Sequence, residues 1–250
     1  MRKVKKFKLT SEFIVDISGV KLFRIKALIE FGNVKAGDLG GYIEKEENLS
    51  HMDNAWVSGN AQVSGNAQVS GNAQVSGNAW VSGNAQVSGD AQVSGDALVY
   101  GNALVCGNAR VCGNARVYGN AWVYGNALVC GNARVCGNAR VYGDARVCGD
   151  ARVCGNARVY GDARVCGDGD YAYAHGFGSV NRTTTFFRLK DGGVGVRCGC
   201  FYGTLAQFRD KIRETHGETK KAQEYLMLAD LMELRFEEDE NEVGNRKYVE

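Results

Sequence analysis

The sequence predicts a mainly β protein built on a three-sided parallel β-helix, with small elements at its two ends. The first observation is a six-residue phrase, Gly-[Asn/Asp]-Ala-x-Val-x, which repeats nineteen times between Asp53 and Cys166 without an insertion or deletion, with Asp53 in the glycine position of the first copy. The second is that an alanine stands two positions before every repeat valine. Because six is an even number, a strand places the alanine and the valine of every repeat on the same side of the chain. A short sequence repeat that is kept this strictly is typical of solenoid proteins.

The glycine of each repeat favours strands joined by bends over a helix. At 3.6 residues per turn the valines would spread around a helix, and each interior glycine would cost about 1 kcal/mol. Gly-Asn and Gly-Asp pairs adopt positive φ more readily than other pairs, so each repeat is predicted to be a short strand followed by a tight bend. Three bends close a triangle, and eighteen residues then form one coil.

The interior of such a coil has no room for a substrate. Each coil contributes three valines and three alanines to the axis, and burial of the valines at roughly 1.5–3 kcal/mol each opposes the ordering entropy. We therefore expect binding on the outer faces, between subunits or at the ends.

The outward positions change in character along the coil. Residues eighteen apart stack, so the positions beside the valines form rows on three faces, which we number first, second and third from the strands at Val57, Val63 and Val69. These rows carry Gln and Ser in the first half and Arg with Cys or Tyr in the second half. Eight residues are the candidate binding residues: Arg116, Arg134 and Arg152 on the second face, and Arg140, Arg158, Tyr124, Tyr142 and Tyr160 on the third.

Two other interpretations of these rows remain open. Six aspartates at the corners leave the eight repeat arginines only two charges in excess, which favours a solvated or mutually paired surface over a polyanion site, so nucleic acid is not the expected ligand. The rows could also pack subunits together, because Tyr, Trp and Arg are enriched at protein interfaces. A homo-oligomer, and specifically a homotrimer, is the assembly that we expect.

Composition limits the class of protein. The net charge is +2, there is no proline, and no apolar stretch reaches eighteen residues, so neither a membrane span nor a signal peptide is predicted and a cytoplasmic location is expected. Seven of the nine cysteines occupy the position after the valine, where Ser and Tyr also occur, and we expect them to be unpaired surface residues. The Cys198-Gly-Cys200 pair lacks a second pair of ligands, so no metal and no cofactor are predicted.

The chain divides into five predicted segments. They are an N-terminal β cap with the entry to the coil (1–50), the hexapeptide-repeat β-helix (51–168), a linker (169–180), a C-terminal β-hairpin with two helices (181–237) and an acidic tail (238–250).

Both ends of a β-helix need covering, because unpaired strand edges recruit other chains. At the N-terminus, alternating segments around Ser18-Gly19 predict a small antiparallel sheet. In the C-terminal segment, Lys190-Asp-Gly-Gly193 predicts a hairpin, and Thr204 with Gln207 forms a capping box for the first helix. This ββαα module is interpreted as a second cap, with a binding domain as the alternative.

Motifs at both ends resemble those of one known family. They are Phe-Arg-Ile-Lys-Ala-Leu-Ile-Glu-Phe-Gly-Asn-Val-Lys-Ala-Gly-Asp-Leu-Gly-Gly-Tyr-Ile-Glu (23–44), Asn-Leu-Ser (48–50), the repeats themselves, Thr-Thr-Thr-Phe-Phe (183–187) and Cys-Gly-Cys-Phe-Tyr-Gly-Thr (198–204). Together they resemble the phage and prophage poly-hexapeptide proteins of bacteria, whose fold is hexapeptide transferase-like. The resemblance covers nearly the whole chain and implies a left-handed coil and a phage or prophage source. It supplies no reaction, because some members are described as transferases on fold alone.

Three functional hypotheses follow. The favoured one is a non-catalytic binding or scaffold protein. The second is a phage anti-defence protein that blocks a host protein or sequesters a nucleotide signal. The third is a hexapeptide-type acyltransferase, which is disfavoured because His51, His175 and His216 all lie outside the strict repeats and no loop interrupts these repeats. No catalytic residue is therefore assigned.

Overall fold

The computed structural model describes residues 5–177 and 182–237, and the chain forms two compact units, Met1–Asp168 and Gly169–Glu250. The acidic tail predicted at 238–250 lies outside the described residues. The N-terminal unit is a parallel β-solenoid with an antiparallel entry. The C-terminal unit combines an antiparallel sheet with two helices.

The solenoid consists of nineteen two-residue strands, β4 to β22, each ending at a repeat valine. Their bounds are Trp56–Val57, Gln62–Val63, Gln68–Val69, Gln74–Val75, Trp80–Val81, Gln86–Val87, Gln92–Val93, Leu98–Val99, Leu104–Val105, Arg110–Val111, Arg116–Val117, Trp122–Val123, Leu128–Val129, Arg134–Val135, Arg140–Val141, Arg146–Val147, Arg152–Val153, Arg158–Val159 and Arg164–Val165. Every third strand pairs in parallel, which builds three sheets that correspond to the three predicted faces.

The axis of the coil is filled as the repeat predicts. Every repeat alanine and valine is at most 1% exposed. The backbone amide of the residue before each valine from Val57 to Val147 donates to an alanine carbonyl one coil further on, as Trp56 does to Ala73 at 3.0 Å. The buried columns therefore rest on a continuous ladder of backbone hydrogen bonds.

Glycine is required at the corners by both conformation and space. Gly95 has φ +70°, and a Cβ atom placed there would lie 3.0 Å from the backbone nitrogen of Gly113 in the next coil. Other residues rarely adopt this backbone conformation. The repeat glycine thus fixes the bend and lets successive corners stack closely.

The N-terminal entry begins with a hairpin, as predicted. β1 (Phe7–Val15) pairs antiparallel with β2 (Lys21–Ala27), and β2 pairs antiparallel with β3 (Leu39–Ile43). β3 then pairs in parallel with β5, and so covers the first edge of the second face.

Side chains cover the first edges of the other two faces. On the third face, buried Asn48 donates through Nδ2 to the carbonyl oxygens of Gly65 and Ala67, at 3.1 and 2.8 Å. On the first face, the buried Lys6 ammonium donates to the carbonyl oxygen of Ala55 at 2.7 Å. Each of the three sheets therefore begins under a different cap.

Two cysteine pairs depart from the sequence prediction. The prediction that the repeat cysteines stay unpaired is wrong for Cys136–Cys154 and Cys148–Cys166, which form disulfides. Their Cα atoms are 4.6 and 4.5 Å apart, because in-register pairing places residues eighteen apart directly over each other. This separation lies within the range that a disulfide spans.

The C-terminal unit has four strands where the sequence predicts two. β23 (Tyr171–Phe177), β24 (Arg182–Arg188), β25 (Val194–Cys198) and β26 (Phe201–Thr204) form one antiparallel sheet. The linker prediction for 169–180 is therefore wrong over Tyr171–Phe177, because this segment pairs along β24.

The two predicted helices follow this sheet. α1 (Leu205–His216) begins with the Thr204–Gln207 capping box. α2 (Lys220–Phe236) has Thr219 as its N-cap residue. Phe208 and Tyr225 meet edge to face between them, with ring centroids 5.8 Å apart. A second row of α2, opposite its buried face, consists of Met227, Leu231 and Leu234 and is exposed.

Candidate binding surface

The third face brings arginine and aromatic side chains together. Parallel pairing of β15, β18 and β21 places Trp122, Arg140 and Arg158 in one column. The guanidinium of Arg140 lies over the Trp122 ring, 4.6 Å from its centroid, although the ring remains 39% exposed. Stacking of a cation on an indole face contributes about 0.5–1 kcal/mol at exposed sites. This contact keeps the Arg140 guanidinium on the Trp122 ring.

A column of tyrosines runs beside these residues on the same face. Tyr124 and Tyr142 stack with ring centroids 4.8 Å apart, and Tyr142 and Tyr160 follow at 4.5 Å. Each tyrosine stands two positions after Trp122, Arg140 or Arg158, so both columns point outward from the same strands. The result is a flat surface with an arginine edge and an aromatic edge.

The second face holds the other three predicted residues. Arg116, Arg134 and Arg152 form a column through β14, β17 and β20. The positions two residues further on are Tyr118, Cys136 and Cys154. The structure therefore divides the eight candidate residues between two faces, and only the third face places its arginines next to a long aromatic row.

One aromatic pair is absent from the candidate residues chosen from the sequence. Tyr100 and Tyr118 stack on the second face with ring centroids 4.9 Å apart and nearly parallel planes. The signal was present in the sequence, because the two residues are eighteen apart.

Hydrogen-bonded ladders run along the corners of the coil. Each corner asparagine from Asn54 to Asn138 donates through Nδ2 to the Oδ1 atom of the residue eighteen positions on, as Asn102 does to Asn120 at 3.0 Å. An aspartate accepts but cannot donate, so the ladder that begins at Asn54 and continues through Asn72 ends at Asp90.

The corners also decide how charge is distributed among the faces. The corner before the third face carries asparagine in every coil, from Asn66 to Asn156. The first face lies between the two corners that carry all six aspartates. On that face, burial and the neighbouring Arg146 lower the pKa of the Arg164 guanidinium, while Asp162 and Asp144 act in the opposite direction. Arginines on the second and third faces therefore have carboxylates at one corner only.

The three histidines each make contacts within the unit to which they belong. His51 accepts the backbone N–H of Lys6 at its Nδ1 atom in the N-terminal entry. His175 is exposed on β23 and contacts Thr183, and His216 ends α1, where it stacks on Tyr225. Each is engaged within its own cap or sheet, outside the repeats.

The two cysteines of the C-terminal unit differ in their surroundings. Cys198 accepts a hydrogen bond from Thr184 Oγ1 at 3.2 Å and lies 3.8 Å from the Tyr225 hydroxyl, whereas Cys200 is exposed. Burial, with Cys198 nearby, raises the pKa of Tyr225 to about 12. Within residues 5–177 and 182–237, no three His, Cys, Asp or Glu side chains gather where they could bind a metal ion. Over the same residues, no helix combines the length and apolar character needed to cross a bilayer.

Fold and surface together define a class, the repeat proteins built on a parallel β-solenoid. A family model described as the YdcK beta solenoid repeat matches residues 67–83, 73–89, 91–107, 109–125, 133–149 and 151–167. All six matches fall within the strict repeats, so the chain is similar to this family in its solenoid. No curated protein matches the chain.

Proposed function

We propose that the protein is a non-catalytic binding protein in which the β-solenoid is a rigid scaffold and the third face contacts a partner. The observation that carries this proposal is the column pair on that face, where Arg140 lies on exposed Trp122 beside the Tyr124–Tyr142–Tyr160 stack. Aromatic residues and arginine account for a large share of the binding energy at protein interfaces. Side chains already held by stacking lose less conformational entropy on binding.

The partner that this surface fits is an acidic protein surface. Arg140 and Arg158 have the all-asparagine corner on one side, whereas the first-face arginines have aspartate-bearing corners on both sides. Guanidinium groups recognise carboxylates through two parallel hydrogen bonds. Stacked tyrosines beside them supply apolar contact and hydroxyl groups for the rim of an interface.

The sequence provides its own conservative substitution for testing this surface. The same row carries glutamine at Gln68 and Gln86 in earlier coils, so the double variant Arg140→Gln, Arg158→Gln keeps a side chain that the scaffold already accepts. The matched control is Arg110→Gln, Arg146→Gln on the first face. Both variants lose two positive charges, and they differ only in which face loses them.

The experiment is capture of partners from a bacterial lysate by the immobilised protein, with identification by mass spectrometry. We expect an acidic partner that the wild type and the first-face variant retain and the third-face variant loses. Equal retention by both variants would refute the third face as the contact surface. Thermal unfolding of both variants checks that the solenoid is intact.

Self-association is part of the same proposal. We propose a homo-oligomer, with a trimer as the favoured form, whose subunit contacts leave the third face accessible. Light scattering on the wild type measures the mass directly. A monomer would exclude this assembly, and a mass of three chains would support the trimer.

The resemblance noted in the sequence adds a narrower proposal. It favours a phage or prophage protein with a left-handed coil that acts in the bacterial cytoplasm, where the partner would be a host defence protein or a nucleotide signal. Calorimetry with a panel of cyclic nucleotides distinguishes these two partners. Heat on titration that the third-face variant abolishes would favour the nucleotide.

A further inference from the structure

Four consecutive coils carry a cysteine at the same position of the first face. These residues, which we call the cysteine column, are Cys112, Cys130, Cys148 and Cys166. In-register parallel pairing of β13, β16, β19 and β22 places them one above another. Successive strands of a sheet lie about 4.8 Å apart, so the column places one sulfur atom in every coil along the axis.

The column holds a disulfide and free thiols at the same time. Cys148 and Cys166 are bonded, whereas Cys112 and Cys130 are free. The Cys130 thiol therefore stands one coil from the disulfide, in the same column. A thiolate attacks one sulfur of a disulfide and displaces the other, and the column places a thiol in the coil next to the disulfide.

The second face provides a contrast within the same protein. Cys136 and Cys154 form a disulfide there, but the next residue down that column is Tyr118. No thiol stands next to this disulfide in its own column. Both faces therefore carry a disulfide, but only the disulfide of the first face has a thiol in the neighbouring coil.

We infer that the cysteine column is a thiol–disulfide exchange site, along which one disulfide moves between neighbouring coils. In the first step the Cys130 thiol gives its proton to water and its sulfur bonds to Cys148. The Cys148–Cys166 bond breaks, and its electron pair goes to the Cys166 sulfur, which takes up a proton. In the second step Cys112 attacks Cys130 in the same way and releases Cys148.

Each step exchanges one S–S bond for another, so the disulfide already present supplies the oxidising equivalent. Reagents of the small-disulfide or small-thiol class can reach exposed Cys166 in the last coil. Their effect would then pass to Cys112, three coils away. This inference is independent of the proposed binding function.

The surroundings of Cys130 favour slow exchange. Burial raises the pKa of this thiol, Cys112 raises it further, and the Arg146 guanidinium acts in the opposite direction. Only the thiolate attacks, so a small reactive fraction is expected at neutral pH. Incubation at mildly alkaline pH raises the thiolate fraction, so the disulfides of the column equilibrate faster.

The sequence makes the linkages directly measurable. Trypsin cleaves after arginine, and each of six repeat cysteines falls in its own tryptic peptide: 111–116, 117–134, 135–140, 147–152, 153–158 and 165–182. Any disulfide among Cys112, Cys130, Cys136, Cys148, Cys154 and Cys166 therefore joins a unique pair of peptides. Free thiols are alkylated at acidic pH before digestion, so that linkages do not rearrange.

For the folded wild type we expect three linkages in the cysteine column, which join Cys148 to Cys166, Cys130 to Cys148 and Cys112 to Cys130. The second face should show Cys136 linked only to Cys154. A column that keeps only the Cys148–Cys166 linkage would overturn the inference, as would complete alkylation of all six cysteines after treatment with a small disulfide. Linkages between the two faces would also overturn it, because they require unfolding.

A serine variant tests the order of the steps. Cys130→Ser interrupts the column, so we expect loss of every linkage to Cys112, while Cys148–Cys166 remains. Cys112→Ser removes only the last step and should keep both Cys130–Cys148 and Cys148–Cys166. Linkage of Cys112 in the Cys130→Ser variant would contradict transfer between neighbouring coils.

Discussion

The side-chain ammonium of Lys6 donates a hydrogen bond to the carbonyl oxygen of Ala55, at 2.7 Å, beneath the first coil of the solenoid. The corresponding alanine one coil later, Ala73, accepts from the backbone amide of Trp56. Ala55 has no earlier coil to supply that amide, so the lysine takes its place. Longer contacts at 3.3 Å join the same ammonium to the carbonyls of Met52 and Asp53.

Replacing this lysine should weaken the solenoid. In Lys6→Met the side chain keeps a similar length, but the Ala55 carbonyl loses its donor. A buried acceptor left without a partner costs about 1–3 kcal/mol, and we expect the free energy of unfolding to fall by that amount. Denaturant titration followed by tryptophan fluorescence measures it, because Trp56, Trp80 and Trp122 all lie in the solenoid.

The matched control for this variant is Lys5→Met. Lys5 is exposed and pairs with Glu46 at 2.7 Å, and surface ion pairs of this kind contribute roughly 0–1 kcal/mol. Equal destabilisation by the two variants would refute a capping role for Lys6.

The same lysine should make the stability depend on pH above neutrality. Burial lowers the pKa of Lys6 from 10.5 to about 8, and Asp53 offsets this only in part. Between pH 8 and 10.5 the unfolded chain therefore binds more protons than the folded chain. Stability from this group rises with pH across that window, by on the order of 1 kcal/mol per pH unit, and is constant below it.

Comparison with Lys6→Met isolates this contribution from the tyrosines and cysteines that titrate in the same range. We expect the stability of the wild type relative to the variant to increase between pH 8 and 10. A flat difference over that range would show that Lys6 titrates at its ordinary pKa.

A corner substitution should extend one of the asparagine ladders. Asp90 accepts from Asn72 at 2.9 Å but has no N–H to offer the Asn108 side chain eighteen residues on. Asp90→Asn restores a donor, and we expect a gain of about 0.5–1 kcal/mol, typical of one hydrogen bond. Asn120→Asp makes the reverse change at the all-asparagine corner and should lose a similar amount. Opposite shifts in the urea midpoint would verify the ladder, and shifts of the same sign would contradict it.

The second-face disulfide should stabilise the last coils of the solenoid. The Cys136–Cys154 bond joins residues with a sequence separation of 18. Closing a loop of this size lowers the entropy of the unfolded chain, which stabilises the folded state by about 3 kcal/mol. Cys136→Ser should therefore lower the free energy of unfolding under oxidising conditions. In the presence of a reductant the variant and the wild type should unfold together, and a persistent difference would assign the effect to packing.

The repeats could be predicted from the sequence almost completely, whereas the ends could be predicted only in part. The valine and the alanine of every repeat indicate which side chains face the axis. Their period predicts that residues eighteen apart lie over one another in successive coils. Lys6 and Asn48 offered no such signal, because a single polar residue becomes a cap only when the fold brings it to an unpaired carbonyl. The strand at Tyr171–Phe177 was missed for a related reason, since it forms by antiparallel pairing with β24, which is a tertiary contact.

The rows of the candidate surface could be predicted from the sequence, but the contacts between their side chains could not. Residues eighteen apart had to stack, so the columns of Arg140 and Tyr142 were foreseeable from the sequence alone. The tertiary structure decided that the Arg140 guanidinium lies on Trp122 and that Cys136 bonds to Cys154, because side-chain contacts depend on rotamers and on the distance between coils. Periodicity thus determined the scaffold of this protein, and the packing of one coil on the next determined which of its side chains meet.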